Sequence, residues 1–140
     1  MSFKINNKTI FLIISHHINH FINVKVFVKH DYDSHMILLT VYSHFLFQTI
    51  ANKKSLSWTG VFNAIESKEY KKLMAHKKLT IFAVAENLLM SQETVRRKLD
   101  KLCKRNLLNY SKKEGLSLGI KFKEIIKPIG KTDMKGLIKI

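Results

Sequence analysis

The chain has 140 residues and 46% of them are hydrophobic, which suits one domain with a real core and excludes a disordered chain. Its 25 Lys and Arg outnumber 10 Asp and Glu, and the formal charge of +15 favours a polyanionic partner, either nucleic-acid phosphates or an anionic membrane surface. Compositional drift towards Lys, Ile and Asn is an alternative origin of that charge.

Cys103 is the only cysteine, which excludes an intrachain disulfide and a zinc site built on several cysteines. The apolar run at residues 10–14 is too short for the core of a signal peptide. The run at residues 36–47 is too short for a bilayer span and is interrupted by polar side chains. We therefore expect a cytoplasmic protein with no membrane partner.

The first half of the chain is predicted to be helical. Apolar residues recur at helical spacing between residues 10 and 28, although residues 23–28 also alternate as a strand would. Asp33 or Ser34 caps a second predicted helix over residues 34–51. Apolar residues surround this helix on nearly every side, which implies burial in a core or in a subunit interface. The polar residues 52–55 form the best internal boundary.

A series of capped helices follows that boundary. Ser57 is the predicted cap of a helix that reaches Ile65, and apolar spacing resumes after a break near Ser67. Thr80 caps a short apolar helix over residues 81–88. Leu89 and Met90 then form a turn, and Ser91 caps a long basic helix over residues 92–105.

A hairpin is predicted after the basic helix. Asn106 stands where a left-handed residue ends a helix, and asparagine tolerates that conformation. Residues 107–111 and 116–122 are the two expected strands, joined by a turn at residues 112–115. The tail from residue 123 is basic and contains the helix breakers Pro128 and Gly130.

The basic helix is the candidate for contact with a nucleic acid. Its inward stripe is Val95, Leu99 and Leu102, which places the charged side chains on the opposite face. Arg pairs with guanine, Gln with adenine, and Glu accepts from cytosine. The base-reading candidates crowd the exposed N-terminal end of the helix: Gln92, Glu93, Arg96 and Arg97. The phosphate-contact candidates are shorter or lateral: Thr80, Ser91, Thr94 and Lys98. An ordinary solvated charged face is the alternative interpretation.

The motif made by Leu79-Thr80, Ala85-Glu86, Leu88 and the run from Ser91 to Leu99 resembles the helix-turn-helix of bacterial winged-helix transcriptional regulators. It is similar to MarR-like, GntR-like and Crp-like members, and the resemblance covers residues 77–122. A helical N-terminal part without a β-barrel resembles MarR-like proteins most, because their terminal helices form the dimer. Leu89 and Asn106 depart from the glycines common at those positions.

The resemblance implies a DNA-binding homodimer whose second motif helix reads the major groove. It also implies that Lys112 and Lys113, on the wing, approach the DNA backbone or the minor groove. The predicted fold is mainly α, a winged helix-turn-helix with a C-terminal β-hairpin wing and an N-terminal helical extension. The predicted regions are a helical dimerisation region at 1–52, a DNA-binding domain at 53–122 and a basic tail at 123–140.

The predicted function is sequence-specific binding of double-stranded DNA to regulate transcription, with no enzymatic activity and no cofactor. A phage or plasmid replication or partition protein is the first alternative, and a winged-helix protein–protein assembly module is the second. A membrane-surface protein is a third class, disfavoured because the basic residues concentrate around the helix-turn-helix. A small-molecule effector is left open.

Histidines of the N-terminal third offer a further alternative. His16 and His20 could share a helix face as metal ligands do, with additions from Asp31, Asp33 and His35. The same histidines could make dimerisation sensitive to pH. A redox switch at Cys103 is conceivable, although a lone cysteine is more often a small buried hydrophobe.

Overall fold

The computed structural model describes residues 5–29, 31–52 and 54–138. Over these residues the fold is mainly α-helical with one two-stranded antiparallel sheet. The helices are α1 (Asn7–Asn23), α2 (Tyr32–Ala51), α3 (Trp58–Ile65), α4 (Lys68–His76), α5 (Ile81–Leu88), α6 (Gln92–Lys104) and α7 (Phe122–Ile138). The strands are β1 (Leu108–Ser111) and β2 (Gly115–Leu118). The mainly α fold class with a β-hairpin is confirmed.

The chain divides into two compact units. A central unit is formed by Tyr32–Lys123, and a terminal unit by Met1–Asp31 together with Glu124–Ile140. This division differs from the predicted regions, because α2 packs against α5, α6 and β2 in the central unit. The predicted boundary after residue 52 falls beside residue 53, which lies outside the described residues.

The core of the central unit is built around α2. Ile37, Leu38, Val41 and Phe45 have no exposed surface, and at about 100° per residue they lie within one arc of about 100° on one side of this helix. The ring of Phe45 meets that of Tyr70 edge to face, with centroids 4.7 Å apart. Core burial therefore accounts for one side of α2, whereas Phe47 and Ile50 lie outside that arc and are 63% and 69% exposed.

Three helices of the central unit begin at the predicted caps Ser57, Thr80 and Ser91, and a fourth begins at Ser67, where the sequence predicts a break. The hydroxyl oxygens of Ser57, Ser67, Thr80 and Ser91 each accept a hydrogen bond from the backbone N–H three residues further on. Each cap satisfies one N–H group that has no partner within its helix. The starts of α3, α4, α5 and α6 are therefore set locally.

The terminal unit contains α1 and most of α7. The Nδ1 atom of His20 lies 2.7 Å from the Oδ2 atom of Asp133, and buried Val24 packs with Ile129 and partly buried Ile125. A Cβ atom on Gly136 would lie 2.6 Å from Nδ1 of His16, so the two helices approach closely there. The residues after α1 continue as a π-helical turn, Val24–Val28, so the strand-like alternation of that segment does not form a strand.

Two expectations about the C-terminal end are wrong. The predicted second strand extends to residue 122, but β2 ends at Leu118, and the N–H of Phe122 donates to the carbonyl of Gly119 at 3.1 Å in the turn that leads into α7. Pro128 was expected to break the tail, yet it lies inside α7. The helix continues past it, and the hydroxyl of Thr132 donates to the Pro128 carbonyl at 3.0 Å.

Within the described ranges, no helix combines the length and the apolar character that a bilayer crossing requires.

Candidate nucleic-acid interface

Helices α5 and α6 pack together across a tight turn. Leu89 ends α5 in the left-handed conformation, with a φ of 54°. The N–H of Met90 donates to the carbonyl of Ala85 at 3.0 Å, which closes the turn. The side chain of Leu89 is 94% exposed, so it contributes little packing at a position where a residue without Cβ would be unstrained.

One side of α6 faces the core. Val95, Leu99 and Leu102 are at most 1% exposed, which confirms the inward stripe that the sequence predicts. Their spacing of four and three residues leaves the opposite side of α6 to solvent. That exposed side starts at the N-terminal end of the helix.

All four base-reading candidates are exposed at that end: Gln92, Glu93, Arg96 and Arg97. Two of them are already paired, since Nη2 of Arg96 donates to Oε2 of Glu93 at 2.6 Å. This hydrogen bond, with the charge of Glu93, raises the pKa of the Arg96 guanidinium above its usual range. Arg97 has no such ion pair within the part of the chain that the structure describes. Its guanidinium N–H groups are therefore available to donate two parallel hydrogen bonds to a ligand.

Two of the predicted phosphate-contact residues, Thr80 and Ser91, use their hydroxyl oxygens to cap helices α5 and α6. Oγ1 of Thr80 accepts from the N–H of Ala83, and Oγ of Ser91 accepts from that of Thr94, each at 3.1 Å. Ser91 also donates its own hydroxyl hydrogen to Oγ1 of Thr94 at 2.8 Å. Among the described residues, the hydroxyl hydrogens of Thr80 and Thr94 have no acceptor, so they can donate to an oxyanion. Lys98 is half-buried on α6 and makes a further contact within the protein.

The hairpin presents the two predicted wing lysines. Residues 108–111 pair with residues 115–118 in antiparallel register, and Lys112 and Lys113 lie exposed in the turn. Gly115 closes the turn with a φ of 75°, and a Cβ atom there would lie 2.4 Å from the carbonyl oxygen of Leu79. The turn thus needs glycine both for its backbone conformation and because the segment that contains Leu79 approaches it closely.

The segment before α5 is joined to the hairpin. The N–H of Leu116 donates to the carbonyl of Leu79 at 2.9 Å, which forms an antiparallel bridge. Nζ of Lys78 donates to the carbonyl of Lys112 at 2.8 Å. No sequence-based prediction covered this contact, which joins residues 34 positions apart. The Lys77-Lys78 pair next to a predicted cap was the only local signal.

Tyr70 is a second residue whose role the sequence did not reveal. The N–H of Leu118 donates to its phenolic oxygen at 2.9 Å, in a buried position. Burial of the ring raises the pKa of Tyr70 to about 12, although the hydrogen bond from Leu118 acts in the opposite direction. The helical spacing of Tyr70 predicted a core residue and nothing about its hydroxyl.

Charge is concentrated around these elements. Residues 77–123 contain 12 Lys and Arg and 4 Asp and Glu, so they contribute +8 of the net charge of +15. Such an excess attracts a polyanion and accelerates its association at low ionic strength.

The metal and redox alternatives gain no support from the geometry. Within the described ranges, no three His, Cys, Asp or Glu side chains converge as metal ligands. His20 is instead paired with Asp133. Burial, with the negative charge of Asp100, raises the pKa of the Cys103 thiol, which disfavours the reactive thiolate.

Comparison with protein-family models, curated proteins and solved structures finds no significant match for this chain.

Proposed function

We propose that this protein is a winged helix-turn-helix regulator of transcription that binds double-stranded DNA with sequence specificity. One observation carries the proposal: α5, a tight turn and α6 are followed by a hairpin that is bridged back to the segment before α5. The resemblance of residues 77–122 to MarR-like regulators agrees with this order of elements. In such an arrangement α6 enters the major groove with its N-terminal end leading.

Base reading is assigned to the exposed end of α6. Arg97 offers a guanidinium fork to the O6 and N7 atoms of a guanine. Glu93 holds Arg96 at 2.6 Å and so restricts the directions in which this second arginine can reach a base. Gln92, at the first position of the helix, completes the reading edge through an amide that pairs with adenine.

Phosphate binding is assigned to the helix starts and to the hairpin. The first turns of α5 and α6 present backbone N–H groups and the positive end of the helix dipole, which favour an oxyanion. Thr80 and Thr94 add hydroxyl donors there, while Lys112 and Lys113 add charge at the hairpin tip. These contacts supply affinity and orientation, whereas the sequence preference comes from α6.

The proposed regulator is a homodimer. It acts at a promoter, either by occluding the site or by recruiting the transcription machinery to it. Two copies related by a twofold axis would read two half-sites about 34–36 Å apart, one helical turn of DNA.

The test is a titration of the full chain with a mixed-sequence duplex of roughly 30 base pairs at two salt concentrations. With about 6–10 phosphate contacts per dimer, affinity is expected to fall on the order of 10³-fold or more between about 50 and 200 mM salt. A flat salt response, or the absence of binding at about 50 mM salt, would refute the DNA-binding proposal.

A matched pair of triple variants locates the binding face. Arg96→Ala/Arg97→Ala/Lys113→Ala removes three charges from the proposed face. Lys8→Ala/Lys131→Ala/Lys135→Ala removes three charges from exposed positions of the terminal unit. The first variant is expected to bind at least tenfold more weakly than the second. Equal losses would mean that the chain attracts DNA only through its overall charge.

A further inference from the structure

Helix α1 presents an apolar face that the described residues of the terminal unit do not cover. None of its 17 residues is buried, although nearly half of them are large and apolar. Six of those side chains are between 43% and 68% exposed: Ile10, Phe11, Ile14, Ile18, Phe21 and Ile22. At about 100° per residue they occupy one continuous arc of roughly 120°. We call these six residues the α1 face.

The orientation of α1 is set by its other side. His20 pairs with Asp133 at 2.7 Å, and His16 lies where a Cβ atom on Gly136 would meet it. The polar side of α1 therefore packs against α7, and the apolar side faces away from α7. A helix that packs through histidines and exposes its isoleucines is unfavourable for an isolated protein in water.

The spacing within the α1 face is that of a helix–helix seam. Phe11, Ile14, Ile18 and Phe21 are separated by three, four and three residues, as are the core positions of a coiled coil. Lys8 is the only charged residue between Asn7 and Asn23 apart from the histidines. Two copies can therefore approach through this helix without the repulsion that their net charge of +15 creates elsewhere.

The exposed area covers a large part of what a stable interface needs. At about 150 Å² for one whole side chain, the six side chains at their observed exposures offer roughly 480 Å² per copy. A stable interface uses roughly 800 Å² per partner. Exposed apolar side chains at the end of α7, in the same unit, can supply further area: Met134, Leu137 and Ile138.

We propose that the α1 face is the surface on which a second copy of this chain docks, with α1 of each copy in the contact. The proposal deepens the proposed function by assigning the interface of the regulator's dimer. It moves that interface away from residues 36–47, where the central core already buries Ile37, Leu38, Val41 and Phe45. An anionic membrane surface is the other class of partner for an amphipathic helix, but such helices carry several cations on their polar face and α1 carries Lys8 alone.

The test is the mass of the full chain in solution, measured by light scattering without DNA at about 50 µM. The wild-type chain is expected at twice its mass of 16.3 kDa. In Ile14→Glu/Ile18→Glu two charges would enter the seam unpaired, so dimerisation is expected to weaken on the order of 100-fold or more. Both side chains are 54% exposed, so helical content by circular dichroism is expected to stay unchanged.

The matched control is Phe47→Glu/Ile50→Glu, which alters two exposed apolar residues of α2, at 63% and 69% exposure. This control is expected to remain a dimer. A monomeric wild type would overturn the proposal, and so would loss of the dimer in the control with retention in the α1 variant. The second result would place the interface on α2.

Vesicles of neutral and anionic phospholipid in a 3:1 ratio separate the remaining partner class. The wild-type chain is expected to stay in the supernatant when the vesicles are sedimented. Sedimentation that the α1 variant abolishes would assign the α1 face to a lipid surface. Because all of these measurements are made without DNA, a chain that dimerises but ignores DNA would refute the proposed function and leave this interface standing.

Discussion

The phenolic oxygen of Tyr70, in α4, accepts a hydrogen bond from the backbone N–H of Leu118, the last residue of β2, at 2.9 Å. The same ring packs edge to face on Phe45 of α2. One side chain thus joins the central helix of the unit to the strand that ends the hairpin. The position of the hairpin depends on a buried polar contact as well as on apolar packing.

Replacing Tyr70 with Phe should destabilise the protein by about 1–3 kcal/mol, because the N–H of Leu118 would stay buried without an acceptor while the ring still packs. Chemical denaturation of the two proteins measures the difference. Tyr110→Phe is the matched control, since the Tyr110 side chain is 41% exposed and its loss of a hydroxyl is expected to cost almost nothing. Equal stability of the two variants would contradict the assigned role of Tyr70.

The same tyrosine predicts a pH dependence at alkaline pH. Its pKa is about 12 in the folded protein, against about 10 for an unperturbed tyrosine. The folded state therefore holds the phenolic proton more tightly, and the associated stability is fully present below pH 10 and is lost as pH rises towards 12. The stability advantage of wild type over Tyr70→Phe should shrink across that interval. Denaturation at pH 8, 10 and 11 measures it, and a constant difference would contradict the prediction.

Local signals were sufficient to predict the elements around the candidate site. Ser57, Thr80 and Ser91 cap their helices as expected, because a cap depends on residues only three positions apart. The inward stripe of α6 is equally local, since one periodicity determines it. The positive φ of Asn106 follows from the tolerance of asparagine for that conformation.

Contacts between distant parts of the chain could not be predicted in this way. The bond from Lys78 to the carbonyl of Lys112 spans 34 residues, and that from Leu118 to Tyr70 spans 48. Neither lysine nor tyrosine carries a sequence signal for such a partner. The grouping of α1 with α7 depends likewise on the pairing of His20 with Asp133, 113 residues apart. The prediction that Pro128 breaks the tail was wrong. Proline disfavours a helix interior, yet α7 continues through this position.

The turn between α5 and α6 offers a stabilising substitution. Leu89→Gly should stabilise the protein by roughly 1 kcal/mol, because a left-handed conformation costs about 1–2 kcal/mol for an ordinary residue and part of this gain is offset by the freedom of glycine in the unfolded chain. Leu89→Ala is the control, since it shortens the exposed side chain and keeps the strained backbone. The thermal midpoints of the three proteins measure the effect. A stabilised Ala variant would show that the exposed side chain, rather than the backbone, is responsible.

The last prediction separates base reading from phosphate binding. Arg97→Ala and Arg96→Ala should each cost about 1–3 kcal/mol on the preferred site and relax the preference at one base pair. Lys104→Ala is the matched control on the same exposed side of α6, seven residues and about 10 Å further along the helix. It should leave the preference unchanged.

Lys113→Ala should weaken binding to all sequences about equally and lower the salt slope by roughly one unit per contact removed. The reason is geometric, since Arg97 lies on the exposed side of α6, in its second turn, and Lys113 lies in the turn of the hairpin. Competition for a randomised duplex library with each variant provides the measurement. If the arginine variants keep the wild-type preference while Lys113→Ala changes it, the hairpin reads the bases. If none of these substitutions alters binding, this face is solvated surface and the fold serves another partner.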